Sequence, residues 1–174
     1  MREQLVAWAA DCRVQGDVEV GDGRLSDRVN DIDLLMFHNA HLQSIDDGRE
    51  LDMHELEVER RELHVIEVHG HRGDPRRRQR TVQDRVMVQV GPYVVTGSLH
   101  RSPVSLPLAP LSGWARFVPL TDAVVGISGG QGVPVRQDVV LVNREQISRT
   151  ERITGISMYE SAPWSPLPGA QPAG

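Results

Sequence analysis

The chain contains no lysine, so all 19 of its basic residues are arginine. A phosphate-binding loop of the Walker type places a lysine after its last glycine, and the glycine-rich stretch 126–132 has none. Cysteine occurs once, as Cys12, which excludes an internal disulfide and a zinc site built from cysteines. Aromatic residues make up 4% of the chain, which is few for a protein that binds single strands by base stacking.

Long apolar runs are also missing. No stretch approaches the roughly 18 apolar residues that a membrane-spanning helix needs. Residues 1–4 are followed by only about six apolar residues, too few for a secretion signal. Hydrophobic residues still make up 39% of the 174 residues, enough for a packed core. We therefore expect a globular, cytoplasmic protein with no membrane partner.

Charge is distributed unevenly along the chain. Residues 1–71 carry a net charge of −10, residues 72–85 carry +4, and residues 86–174 carry +1. This pattern predicts two modules, at 1–71 and 86–160, and a basic linker at 72–85 that runs into the first strand of the second module. Residues 161–174 are rich in proline, glycine and alanine, which predicts a disordered tail.

The two modules resemble each other in sequence. Residues 5–20 align with residues 86–101 at an offset of 81, which places Gly16 on Gly97. Residues 35–40 then match 118–123 at an offset of 83, and residues 56–63 match 140–147 at an offset of 84. The three segments occur in the same order and drift by only three residues, so we interpret them as an internal duplication.

Each copy has the pattern of an all-β fold with five short strands. A glycine inside the second strand of each copy, Gly16 or Gly97, indicates a bulge or tight bend. Helical periodicity is weak except near residues 26–34. The predicted strands are 5–9, 12–18, 34–45, 56–58 and 63–68 in the first copy, and 86–90, 93–99, 117–127, 139–142 and a segment after Ile147 in the second. Five short strands in about 70 residues are typical of a small bent barrel.

The order of particular residues resembles the Sm-like small-barrel family. The first motif of that family is matched in the first copy by Gly16, Asp27, Asn30, Leu35 and Ala40. The second motif, a strand followed by a tight polar turn with a basic residue, is matched by residues 58–63 and 142–147. In the second copy the Asp/Asn pair is replaced by the apolar stretch 106–111. Residues 97–100 and 117–124 are also similar to a bacterial domain with no assigned activity.

The resemblance implies a non-enzymatic assembly or protein-interaction module. Open five-stranded sheets expose strand edges, which are natural sites for pairing with another chain. Sm-like barrels join in this way into rings, so a linked pair would form a homo-oligomer, for example a trimer displaying six barrels. An unidentified protein partner is also expected.

The alternative that the resemblance implies is an RNA-binding ring. Arg60, Arg61 and Arg144 would then contact RNA from the polar turns, with Asp27 and Asn30 near a base. The basic linker adds Arg76, Arg77 and Arg78, whose charge would neutralise phosphates independently of sequence.

Catalytic, metal and cofactor sites are not predicted. Cys12 aligns with Tyr93, a bulky strand residue, which favours packing over nucleophilic chemistry. His64 and His69 are five apart and would lie on opposite faces of a strand. His69 and His71 could share one face with Glu67 and hold a surface metal ion, but a predicted flexible hinge follows immediately, which favours solvated histidines. We therefore expect no catalytic residue, no bound metal and no cofactor.

Overall fold

A computed structural model describes residues 2–19, 25–69, 80–129 and 133–154. The predicted tail and most of the linker, including Arg76, Arg77 and Arg78, lie outside these residues. The first half contains strands β1 (Arg2–Trp8), β2 (Cys12–Glu19), β3 (Leu34–Ser44), β4 (Glu50–Glu59) and β5 (Val65–Glu67), and helix α1 (Leu25–Asp31). The second half contains β6 (Val82–Val90), β7 (Tyr93–Arg101), β8 (Phe117–Ile127), β9 (Val135–Asn143) and β10 (Ile147–Arg152).

All ten strands belong to one antiparallel sheet, so the prediction of an all-β fold is confirmed. The strand order is β10-β6-β7-β8-β9-β5-β1-β2-β3-β4. The sheet formed by the described residues is not closed into a barrel, because its two end strands do not pair with each other. Each half has the same order, with its fifth strand first and then its first to fourth strands.

The strand registers agree with the sequence offsets. Leu5 lies opposite Gly16 in β1 and β2, and Val86 lies opposite Gly97 in β6 and β7. The same agreement holds where the fifth strand pairs with the first: Val6 with Glu67, and Met87 with Glu151. The two halves are therefore the same arrangement of five strands, repeated residue for residue at these positions.

A bulge bends the second and third strands of each half. The register between these strands shifts next to Gly16 in the first half and next to Gly97 in the second. The extra residues on the third strands, Asn39 and Asp122, have φ angles of 49° and 47°. A side chain at Gly16 would place its Cβ 2.9 Å from the carbonyl oxygen of His38, so the close approach of the two strands requires glycine.

Helix α1 is the predicted helical segment, but it is shorter than residues 26–34. It spans seven residues and buries Leu25 and Val29 against the sheet. No helix in the part of the chain that the structure describes is long and apolar enough to cross a membrane.

The fourth strand of the first half is longer than predicted. The sequence pattern predicted a strand at 56–58, whereas β4 begins at Glu50 and pairs with β3 along nearly its whole length. Much of the early part of β4 is solvent-exposed, including Leu51 and Met53. β3 and β4 therefore form a long ribbon that extends beyond the core.

The buried core connects the two halves. Phe117 and Leu141, from the second half, pack in the hydrophobic cluster of the first half. Val6, Trp8 and Val65, from the first half, pack in the cluster of the second half. Because each cluster contains side chains from both halves, we expect the described strands to unfold as one unit.

Candidate assembly interface

The two halves meet along a short antiparallel pairing between β5 and β9, which we call the internal joint. Its paired residues are Val65 with Val142, Ile66 with Leu141, and Glu67 with Val140. The pairing continues at one end, where the backbone N–H of Val68 donates to Val139 at 3.1 Å. At the other end the Asn143 side chain donates to the carbonyl of Leu63 at 2.8 Å.

A buried carboxylate lies at the centre of the internal joint. Glu67 is 2% exposed and accepts hydrogen bonds from Trp8 Nε1 at 2.8 Å and from Gln137 Nε2 at 2.6 Å. His69 Nε2 lies 3.2 Å from the same carboxylate, and Arg13 Nε lies 3.9 Å away. A buried charge needs hydrogen-bond partners. Because Trp8 belongs to the first half and Gln137 to the second, the hydrogen bonds to this carboxylate fix the position of one half against the other.

Aromatic packing closes the joint on the side of the second half. The rings of Trp8 and Tyr93 meet edge to face with centroids 5.3 Å apart. The hydroxyl of Tyr93 donates to the carbonyl of Ala9 at 2.6 Å. Burial raises the pKa of Tyr93 well above its ordinary value, so the phenol stays protonated and can donate this bond.

Asn30 makes a second connection between the halves. Its side-chain oxygen accepts from the backbone N–H of Phe117 at 2.8 Å, and its amide donates to the carbonyl of Phe117 at 3.1 Å. Arg60 donates to the carbonyls of Asn30 and Val29 at the end of α1 and to Asp33 at 2.7 Å. These contacts hold α1 against the start of β8.

The remaining residues predicted for RNA contact lie on or near the surface. Asp27 is exposed on the first turn of α1, and Arg61 is exposed beside Glu59. Arg144 begins the equivalent turn of the second half. Gln146 Nε2 donates to the carbonyl of Arg61 at 3.2 Å, so the two polar turns lie side by side. RNA contact by these residues stays a prediction, whereas Asn30 and Arg60 have the structural contacts described above.

Two strands form the free edges of the sheet among the described strands: β4 at one end and β10 at the other. They correspond to the partners in the internal joint, since β4 is the counterpart of β9 and β10 is the counterpart of β5. Their charges differ. β4 carries the carboxylates Glu50, Asp52, Glu55, Glu57 and Glu59, whereas β10 carries Arg149, Glu151 and Arg152.

A cleft of about 650 Å³ opens beside the edge formed by β4, and we call it the Cys12 hollow. Its apolar lining includes Val14, Leu42, Leu56, Val58 and Leu63. Its polar lining includes Asp11, Cys12, Glu57, Arg61, Glu62, His64 and Gln146. It is an apolar pocket with a rim of mainly acidic side chains.

The corresponding place in the second half is filled. By the offset of 81, Tyr93 occupies the position of Cys12. Trp8, Val6 and Val65 from the first half pack in the same buried cluster as Tyr93. None of the described residues fills the Cys12 hollow as Trp8, Val6 and Val65 fill the cluster around Tyr93. The surface that the internal joint covers in the second half is therefore uncovered in the first half.

The ionisable groups of the Cys12 hollow are not arranged for nucleophilic chemistry. Burial, together with the negative charge of Asp11, raises the pKa of the Cys12 thiol. Burial also lowers the pKa of His64 and keeps its imidazole neutral. A reactive cysteine needs the opposite environment, one that stabilises the thiolate. Among the described residues there is also no cluster of three or more side chains suited to a metal ion.

Sequence reasoning missed the residues that build the internal joint. Trp8, Glu67 and Gln137 are far apart in the chain, and nothing in their local patterns links them. One signal was present: Glu67 is a lone carboxylate in the apolar run 65–68, and a charge in a buried strand requires a partner.

We compared the chain with protein-family models, curated proteins and solved structures. No protein-family model, curated protein or solved structure matches it. The resemblance to Sm-like barrels therefore stays a prediction, and functional inference depends on the joint, the free edges and the hollow.

Proposed function

We propose that this protein is an assembly module that associates with further copies of itself, the β4 edge of one copy pairing with the β10 edge of the next. The observation that carries the proposal is the internal joint. The chain already joins one repeat to another through β9 and β5, and it leaves the counterparts of both strands at the two ends of the sheet. Unpaired strand edges are efficient sites for adding another strand.

The internal joint supplies a register for this contact. Val65 lies opposite Val142 in the joint, and both positions can be transferred by the offset of 84. The transfer places Arg149 of one copy opposite Val58 of the next. It also places Thr150 opposite Glu57 and Arg152 opposite Glu55.

Charge supports the same pairing. Within its own copy Arg152 pairs with Asp84 at 2.9 Å, and its side chain is 45% exposed. In this register it faces Glu55 of the acidic β4 edge directly and lies diagonal to Glu57. Opposite charges at such cross-strand positions are favourable, and like charges are unfavourable. An acidic edge also disfavours pairing of β4 with β4, because two strands that carry five carboxylates each would then be adjacent. The contact is therefore head to tail rather than symmetric.

A head-to-tail contact uses two different surfaces, so each copy can bind one neighbour at each end. Such contacts produce a closed ring when the rotation between copies closes, and an open filament when it does not. We propose a ring of linked pairs, in which each half is one bent five-stranded unit of the Sm-like kind. Three copies would display six such units.

The decisive experiment is native mass spectrometry of the full chain, freshly purified without a nuclease step and supported by sedimentation velocity over a concentration series. The variant is Thr150→Pro. The N–H of Ile153 donates to Arg85 on β6 at 2.8 Å, and donor direction alternates along a strand. The N–H of Thr150 therefore points to the free edge, and proline removes it without removing a bond between β10 and β6.

The matched control is Thr150→Val, which keeps the N–H and the β-branched shape. We expect wild type and Thr150→Val to form the same closed oligomer. Thr150→Pro should associate at least tenfold more weakly, equivalent to about 1.4 kcal/mol. A wild-type mass of 19.3 kDa at micromolar concentration would contradict the proposal, and so would a monomer that carries bound RNA.

A further inference from the structure

We propose that the Cys12 hollow is the receptor for Arg149 of a second copy, whose guanidinium pairs there with Asp11 and Glu62. The inference rests on the proposed function, and it names the side chains that give the contact its direction and specificity.

The position of Arg149 follows from the internal joint. Val65 enters the buried cluster of the second half from β5, beside Trp8. The residue 84 positions after Val65 is Arg149, at the equivalent place on β10. Val65 pairs with Trp8 on β1, and Arg149 pairs with Gln89 on β6. Trp8 and Gln89 are equivalent positions, because they are related by the offset of 81. When β10 takes the role of β5, Arg149 therefore points where Val65 points, which is into the hollow.

The two sides of the contact have diverged in a matched way. In the internal joint the side chain that enters the buried cluster of the second half is apolar Val65. By the offsets of 81 and 84, Asp11 and Glu62 in the lining of the Cys12 hollow correspond to the uncharged residues Pro92 and Gln146 of the second half. The inserted residue has become basic, and its surroundings have become acidic. If the two surfaces had changed independently, there would be no reason for one to become basic and the other acidic.

The hollow also has the space that a longer side chain needs. Cys12 stands in place of Tyr93, and the resulting cleft measures about 650 Å³. Within one copy, Arg149 is 69% exposed and pairs with its near neighbour Glu151 on the same strand. An exposed pair of this kind contributes little stability, so the guanidinium can exchange it for a better-enclosed carboxylate.

The other charged groups of the hollow are compatible with an arginine. Glu57 adds a third carboxylate to the lining. Arg61 is the one arginine that lines the cleft among the described residues, and its guanidinium is paired with Glu59. The local charge is therefore negative where the inserted guanidinium arrives.

The test combines charge reversal with a chemical probe of the hollow. Arg149→Glu and Glu62→Arg are compared singly and together in the full chain by sedimentation velocity. We expect each single variant to weaken self-association at least tenfold and the double variant to recover part of that loss, because Asp11 and Glu57 still oppose the carboxylate introduced at position 149. A like-charge pair opposes association in either single variant, and the opposite-charge pair is restored in the double variant.

Cys12 supplies the second readout, because it is the only thiol in the chain. Its rate of alkylation by N-ethylmaleimide should fall at least fivefold when wild type assembles. In Arg149→Glu the same fall should appear only at a protein concentration at least tenfold higher than in wild type. Circular dichroism of each variant confirms that the fold is retained.

The outcomes separate the two proposals. If wild type remains a monomer, the proposed function fails and this inference fails with it. If wild type assembles and Thr150→Pro disrupts it, but the charge variants and the alkylation rate are unchanged, only the inference is overturned. If Arg149→Glu weakens assembly and the double variant does not recover, the pairing with Glu62 is wrong. Protection of Cys12 in a monomer would mean that a different occupant fills the hollow, which also overturns it.

Discussion

Replacing Trp8 with phenylalanine tests the internal joint with a small change in shape. Trp8 is 9% exposed and donates its indole N–H to the buried carboxylate of Glu67 at 2.8 Å. Phenylalanine keeps an aromatic ring against Tyr93 but removes this donor. A hydrogen bond to a charged group contributes about 1.5–3 kcal/mol. Because Gln137 still donates to Glu67 at 2.6 Å, we expect a loss near 1.5 kcal/mol in the free energy of unfolding.

The assay is urea denaturation of the full chain followed by far-ultraviolet circular dichroism. For a chain of this length, 1.5 kcal/mol also lowers the melting temperature by about 3–6 °C. The matched control is Trp114→Phe, because Trp114 is 95% exposed and the same substitution there should change stability by less than about 0.5 kcal/mol. Both proteins should unfold in one transition, since the two halves share their hydrophobic clusters.

The result that refutes this reasoning is equal stability of the two variants. In that case the contact between Trp8 and Glu67 would add nothing to the folded state, and the joint could not be treated as a stable interface. A second unfolding transition in Trp8→Phe alone would refute the shared core instead.

Two further predictions concern the bulges and the pH dependence. Gly16→Ala and Gly97→Ala should each lower the free energy of unfolding by about 1–3 kcal/mol in urea titrations. The new Cβ would lie 2.9 Å from the carbonyl oxygen of His38 in the first variant and 2.9 Å from the Cβ of Leu120 in the second. An unchanged unfolding midpoint would show that the strands separate without cost. Burial holds the pKa of His64 below 6.5, so as the pH falls toward and below 6.5 the unfolded chain binds the proton first and wild-type stability declines. His64→Asn should decline less between about pH 7.5 and 5.5 in the same titrations, and an identical slope would contradict this role for the buried imidazole.

Much of the strand pattern could be predicted from the sequence, because it depends on local features. The alternation of apolar residues, the turns and the interior glycines all leave short-range patterns. Because the chain is repeated, each strand could be predicted from two segments, and the offsets between the segments agree with the strand registers. β4 was underestimated for a local reason. The bulge at Asn39 shifts the alternation of β3. Leu51 and Met53 lie opposite Leu42 and Ala40, beyond this bulge, and are therefore out of phase with Leu56 and Val58.

The candidate interface could not be predicted in the same way. The pairing of β5 with β9 joins residues about 75 positions apart, and strand partners at such distances leave no local pattern. The polar-turn residue Arg60 shows the difference between a local pattern and a three-dimensional contact. Arg60 fits the polar turn by position, yet its guanidinium caps α1, a contact that depends on where the helix lies in three dimensions.

The internal joint also has a consequence for the synthesis of the chain. β5 leaves the ribosome carrying Val65 and Ile66, both fully buried in the finished fold, and its partner β9 is complete only after about 75 more residues. At translation rates of about 5–20 residues per second, the first half waits roughly 4–15 s with an apolar strand edge uncovered. During that interval a newly made first half can pair with β9 of a neighbouring chain instead of its own. Domain exchange between chains made on the same messenger is therefore the misassembly to which this architecture is most exposed.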